Sequence, residues 1–217
     1  MKRVIGIILI AITVGVFYAV SAFAAPPIQW KMITTWSPSI NLWEADQRFC
    51  DKVNKLSGGR LQIKLYKADE LVPASGVFDA VSQNRVEAGG DWPGYWAGKN
   101  SAFEFGGSFP MGLSPQDYIN WYYDGGGKAT YDYLYGKSGM VYFAHCLAPQ
   151  ESGVRSSVPI KNLADFKGKK LRMSGKAQGH VLQMLGAAQT MTAGGEIYQA
   201  LQLKTIDGAE FSSPAID

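Results

Sequence analysis

Residues 28–36 alternate apolar and polar, with Ile28, Trp30, Met32 and Trp36 on one side, and this two-residue period predicts a strand. A helix follows. Leu42, Ala45, Phe49, Val53 and Leu56 recur at three- and four-residue spacing, Ser39 or Asn41 can cap the start, and Gly58 and Gly59 can end it. Leu61, Ile63 and Leu65 alternate as a second strand, and 73–84 reads as a second helix with Val77, Phe78 and Val81 inward. Strand, helix, strand, helix is the order of an open, largely parallel sheet covered by helices, so the expected fold class is α/β.

A short apolar segment at 86–88 leads into an aromatic, Gly-rich loop, DWPGYWAGKN, at 91–100. Ser114 as cap, Pro115 at the first helical position and Asp117 three residues after the cap predict a helix running to about Tyr123. Gly125, Gly126 and Gly127 separate it from a second helical piece ending near Tyr135, and MVYFAHCL at 140–147 predicts a buried strand. Residues 149–159 read as a crossing into a second lobe. There a short helix at 163–166, a strand at 170–173, helices at 179–185 and 196–203 and a strand at 209–212 renew the α/β theme. No sequence repeat or low-complexity tract appears.

At the N-terminus, Lys2 and Arg3 precede an apolar run at 4–20 and the small-x-small triplet Ala22-Phe23-Ala24, which together predict a cleaved Sec-type signal peptide over 1–24. The run is only slightly shorter than a membrane span, so an uncleaved anchor is the alternative; Pro26, Pro27 and the lack of a basic flank favour cleavage. No Cys marks a lipoprotein. Lys2 and Arg3 leave with the leader, so 21 basic residues become 19 against 18 acidic, and the net charge falls from +3 to about +1. No basic run with interleaved aromatics remains, which excludes a nucleic-acid partner. The rest suits one large or two small domains.

Little here reads as catalytic. DGGGKAT at 124–130 lacks the Ser or Thr after Lys128 and the earlier Gly of a phosphate loop, and no G-x-G-x-x-G occurs. His145 falls in an apolar run and His180 at a helix start, neither beside a nucleophile elbow. Cys50 and Cys146 have no metal spacing; two buried free thiols and a disulfide both remain open. Arg172 differs. Flanked by Leu171 and Met173, which face the core, it points the other way toward the strand end, where a planar guanidinium can hold a carboxylate through two parallel bonds. The ordinary alternative is a surface Arg or an internal salt bridge.

From Gln29 to Asp217 the sequence resembles the periplasmic solute-binding subunits of TRAP (tripartite ATP-independent periplasmic) transporters, the DctP-like family. The resemblance rests on FKGKKLR, MLGA and an EIYQAL helix leading into IDGAE. ADELVPASGVFDAV, the Tyr95-Trp96 pair, PMGLSP, DGGGKA and GGEIYQALQ are similar to the branch that binds 2-oxo acids and related monocarboxylates. It implies a two-lobe Venus-flytrap fold, with lobe I over 25–148, an incomplete lobe II over 149–208 and a return toward lobe I at 209–217. It also implies a periplasmic receptor, not an enzyme, that delivers a small carboxylate to membrane permease subunits, with a homodimer left open. By position, Arg172 matches the carboxylate clamp and Tyr95 an aromatic hydrogen-bonding partner. Gln150, Glu210 and the carbonyl of Phe211 match the residues that hold a bridging cation, Na+ or Ca2+, and Gln150 and Phe211 also reach the ligand. Hard cations suit such oxygen donors.

Phe211 stands where that branch usually has Trp. The chain also stops at Asp217 without the part that completes lobe II in relatives, so a fragment or truncated gene with weakened ligand binding is expected. The alternatives are a receptor for a dicarboxylate, sugar acid or aromatic acid, and a secreted hydrolase or lyase using Glu210 and Arg172.

Overall fold

The computed structural model describes residues 26–107, 112–148, 151 and 153–212. Strands β1 (Ile28–Thr34), β2 (Leu61–Tyr66) and β3 (Ala88–Gly90) form one parallel sheet in the order β2-β1-β3. Parallel neighbours need a crossover. Helix α1 (Asn41–Leu56) supplies the first, and α2 (Val77–Ser82), entered through a 3-10 turn at Ala74–Gly76, the second. Helices α3 (Phe103–Gly106), α4 (Pro115–Asp124) and α5 (Gly127–Gly136) follow. A second sheet contains β4 (Arg155–Ser156), β5 (Lys170–Arg172), β6 (Ala188–Thr190) and β7 (Gly208–Ala209) in the order β4-β7-β5-β6, with only β4 antiparallel to its neighbour. Helix α6 (Lys176–Met184) joins β5 to β6, and α7 (Ile197–Gln202), entered through a 3-10 turn at Gly194–Glu196, joins β6 to β7.

The two sheets repeat one βαβαβ plan. In each, the first strand is central, the second lies on one side and the third on the other. Met32 pairs with Ala88 as Leu171 pairs with Gly208, and Ile33 with Gly89 as Arg172 with Ala209. The same clasp closes both: Lys31 N donates to Glu87 Oε2 (2.7 Å) and Glu87 N to the Lys31 carbonyl (3.2 Å), while Lys170 N donates to Asp207 Oδ2 (2.8 Å) and Asp207 N to the Lys170 carbonyl (2.7 Å). Asn84 and Lys204, one after each short helix, both take positive φ, +54° and +56°. Over VFDAVSQNRVE and IYQALQLKTID the apolar positions coincide except where Gln83 faces Leu203, yet Ala80 and Ala200 are the only identity, so the likeness lies in the pattern and not in the letters.

Three apolar clusters hold these units. Ile33, Val77, Phe78, Trp96, Phe103 and Tyr131 lie in the largest; Met32, Cys50 and Ile63 sit between α1 and the first sheet; Leu171, Leu182 and Ala187 sit between α6 and the second. The Ser114 cap is as expected, its hydroxyl accepting from Asp117 N at 3.2 Å. Helix α1 stops before Gly58 and Gly59 as expected but departs from expectation at its start and in the burial of Leu56. Ile40 stands at its N-cap with no side-chain bond, so neither Ser39 nor Asn41 caps it, and Leu56 is 85% exposed; the fully buried positions are Asp46 and Cys50.

The expected buried strand at 140–147 does not form. No described strand pairs with it, and an apolar run without a neighbour cannot satisfy a ladder. Val141 and Phe143 are exposed, while Tyr142 stacks on Tyr131 (centroids 4.4 Å apart) and Tyr135 (4.9 Å). Both cysteines are free thiols, and Cys146, carried by this segment, is exposed and not buried. Helix α6 begins three residues before the expected start, and the last strand covers only Gly208–Ala209. No helix of the described residues is long and apolar enough to cross a membrane.

Candidate functional site

Because strand order reverses at β1 and again at β5, the loops leaving the carboxyl ends of the strands flank a crevice at each reversal. Trp36 follows β1, Tyr95 follows β3, Arg172 ends β5, Thr192 follows β6, and Glu210 and Phe211 follow β7. Residues remote in sequence meet there for that topological reason.

Arg172 is 1% exposed, which sets aside the surface alternative. Its Nε donates to the Thr192 carbonyl (3.1 Å) and its Nη1 to the Glu210 carbonyl, so two of five N–H donors are fixed by backbone. The Glu210 carboxylate, itself buried, lies 3.6 Å from Nη1. Phe211 covers one guanidinium face, with Cζ 5.0 Å from the ring centroid. Trp36 meets Phe211 edge-on at 6.2 Å and Tyr95 at 5.9 Å, and Trp92 meets Tyr95 at 5.2 Å. Burial pushes the Tyr95 phenol up to about 12, against the pull of the nearby Arg172 guanidinium. It therefore stays protonated near neutrality.

The structure thus brings Arg172, Tyr95, Glu210 and Phe211 together, while Gln150 lies outside the described residues. It adds two partners that sequence reasoning missed. The Thr192 carbonyl is backbone and carries no side-chain signal. Trp36 falls within the expected strand at 28–36, but β1 ends at Thr34 and leaves it in the loop, buried against Tyr95 and Phe211. Gly194 is flush against Phe211: a Cβ there would lie well inside contact distance of the ring.

A relay of polar groups supports the Trp36 loop. Trp36 N donates to Thr34 Oγ1 (3.3 Å), which donates to Asp46 Oδ2, and Asp46 Oδ1 pairs with His145 Nε2 (2.5 Å). Burial works to lower the His145 pKa, but the bond and charge of Asp46 prevail and hold it above the ordinary histidine value. His145 is tied by this pair to the buried Asp46. Beside the site runs an open groove of about 1300 Å³, walled by Met32, Trp36, Tyr122 and Tyr142 and reaching Glu210. Among the described residues no three His, Cys, Asp or Glu side chains are grouped to hold a metal. Among the described residues the oxygens beside Arg172 include the Glu210 carboxylate, the Thr192 and Glu210 carbonyls and the Tyr95 hydroxyl.

Two α/β units that meet around a buried, aromatic-walled guanidinium define a cleft of the solute-binding kind. Residues 32–217 match the family model of bacterial extracellular solute-binding proteins, family 7, and the chain belongs to that family. A curated relative from Nostoc sp., a monocarboxylate 2-oxoacid-binding periplasmic protein, is 34% identical over 192 residues, covering 88% of this chain and 52% of the relative. A TRAP transporter solute binding protein from Bordetella bronchiseptica, with copurified calcium and picolinate, matches at 31% identity with a TM-score of 0.77, over 88% of this chain and 57% of that one. Another from Pseudoalteromonas atlantica, with bound sodium and pyruvate, matches at 30% identity and a TM-score of 0.77, over 88% and 58%. The resemblance to TRAP receptors and their two-lobe α/β fold is borne out. The chain spans about half the length of the curated relative it matches.

Proposed function

We propose that this chain is the ligand-gripping part of a TRAP-type solute receptor that captures a small monocarboxylate, a 2-oxo or 2-hydroxy acid. The observation that carries this reading is Arg172: a fully buried guanidinium, set by two backbone carbonyls between both units and ringed by Trp36, Tyr95 and Phe211. Donors beyond those two remain for a carboxylate, and the protonated Tyr95 hydroxyl is a neutral donor beside it. The 2-oxoacid named for the Nostoc relative and the pyruvate of the Pseudoalteromonas protein agree with that class.

Arg172, Glu210 and a ligand carboxylate sum to one negative charge in a buried place, which a cation would neutralise. Glu210, the Phe211 carbonyl and Gln150 are the residues proposed to hold it, and it would supply a fixed positive charge bridging to the ligand. The calcium and sodium of the two structural relatives fit this donor class. We assign no catalytic role to any residue. The proposed setting is the periplasm, reached through a cleaved leader over 1–24, with lobe I over 25–148, lobe II over 149–208, the return at 209–217, and membrane permease subunits as the receiving partner.

The test is isothermal titration of the exported chain with pyruvate, lactate, succinate and benzoate in sodium and in calcium buffers. Binding of the first two in preference to succinate and benzoate is expected; catalytic turnover of any of them, or preference for succinate, would overturn the reading.

A further inference from the structure

Helix α6 has no cap of its own. Its N-cap residue is Gly175, which has no side chain to accept the first orphan N–H groups and sits at φ +88°, ψ 153°, a conformation open essentially to glycine alone. The acceptor comes from the other unit. Glu104, on α3, places Oε1 against the backbone N–H of Lys176 and of Ala177, the latter at 3.1 Å. A Cβ on Gly175 would lie 3.1 Å from Glu104 Oε2, so an ordinary capping residue would crowd the carboxylate.

We propose that Glu104 is the closure latch of the cleft: a carboxylate carried by the first unit that caps α6 of the second only when the two have come together. A capping carboxylate also meets the positive end of the helix dipole, so both charge and hydrogen bonds favour the closed arrangement. When the units part, the same N–H groups and the same carboxylate return to water, which makes the contact reversible. A second close approach lies elsewhere in the cleft, where a Cβ at Gly195 would stand 2.6 Å from Ser37 Oγ. There the glycine keeps a path clear, whereas Glu104 supplies attraction. Its role in ligand capture rests on the receptor reading above; its role in closure does not.

The two can be tested apart. A pair of spin labels, one on exposed Lys52 of α1 and one on exposed Met184 of α6, reports the distance between units by pulsed electron resonance without ligand. Glu104→Ala is expected to shift the distribution toward longer distances, and Glu104→Gln, which keeps an acceptor oxygen, to shift it less. Lys176→Pro removes one donor at a first helical position that tolerates proline, and Lys176→Ala, which keeps the N–H, is its control. Glu104→Ala and Lys176→Pro should be non-additive, since both delete one contact. Where pyruvate binds, Glu104→Ala should weaken it by about two- to thirty-fold, the range of a lost cap. An unchanged distance distribution in Glu104→Ala, or a shift shared by Lys176→Ala, would overturn the latch. Failure of pyruvate to bind the parent chain would instead count against the receptor reading and leave the distance result standing.

Discussion

Arg172 occupies in the second sheet the register position that Ile33 occupies in the first: Ile33 pairs with Gly89 and Arg172 with Ala209, each on the central strand of its unit. Ile33 is 1% exposed and packs with Val77 and Phe78; Arg172 is equally buried but meets Thr192, Glu210 and Phe211. One copy of the plan therefore uses this position for the apolar core and the other for a buried cation. The cost of burying a guanidinium is met by carbonyls and a carboxylate supplied from the loops of the same unit.

Replacing Arg172 with Ala is expected to weaken binding of a small monocarboxylate by about 2 to 5 kcal/mol, the range for truncating one member of a buried charge pair. Arg172→Lys should recover little, because a point charge cannot keep the Thr192 and Glu210 carbonyls and also a bidentate ligand. Calorimetry decides; near-native affinity in the Ala variant removes the assignment.

Cation and carboxylate should tighten each other by the same factor, since linkage between binding sites is reciprocal. Affinity for pyruvate measured after chelation in sodium-free buffer should fall below that in calcium or sodium, and Glu210→Gln should abolish the difference. Equal affinity with and without cation in the parent chain would show that Glu210 serves Arg172 alone.

Gly194→Ala should loosen the site without unfolding the chain. The added methyl displaces the Phe211 ring from the guanidinium face, and forced shifts of this kind cost about 1 to 3 kcal/mol. In a Phe211→Leu background the same substitution should cost less. Equal losses in both backgrounds would point to a backbone effect.

Thermal stability should fall as pH rises from 5 to 8. Burial pushes the Asp91 carboxyl up to about 7, with the Trp96 indole bond (2.5 Å) pulling the other way. An acid whose folded pKa exceeds its unfolded value of about 4 binds its proton more tightly when folded, so stability is lost as pH climbs between the two. His145, raised by Asp46, stabilises fully below its unfolded pKa of about 6.5, and that contribution is lost as pH rises through the folded value. Asp91→Asn should flatten the lower window and leave the upper one. Melting temperatures that stay level or increase toward pH 8 would contradict both assignments.

The order of strands and helices was legible because the period of two in 28–36 and of three to four in 41–56 is strong, and because Ser114, Pro115 and Asp117 mark the start of 115–124. Arg172 stood out as a lone cation between Leu171 and Met173. The failures have physical causes. An apolar run such as 140–147 satisfies a strand pattern by composition, yet a strand exists only through its neighbour. Trp36 continues the alternation of β1 past the point where pairing stops at Thr34, so periodicity placed it within the strand. The repeat was hidden because only Ala80 and Ala200 coincide, although an offset comparison of apolar positions, Val77 with Ile197 and Val86 with Ile206, carries the signal. Glu104 had none: a cap supplied from a distant unit leaves no local trace beyond the bare Gly175.

The clasped, repeated plan also bears on how the molecule comes apart. Each βαβαβ unit closes on contacts within its own span, such as Lys31 with Glu87 and Lys170 with Asp207. The pocket needs Trp36 from one and Phe211 from the other, and is completed only after both units have formed and docked. Contacts absent from the folding transition state act on the rate of unfolding. A ligand held across the pocket therefore lengthens the lifetime of the native molecule while leaving its folding rate almost untouched, a form of protection that is kinetic in character.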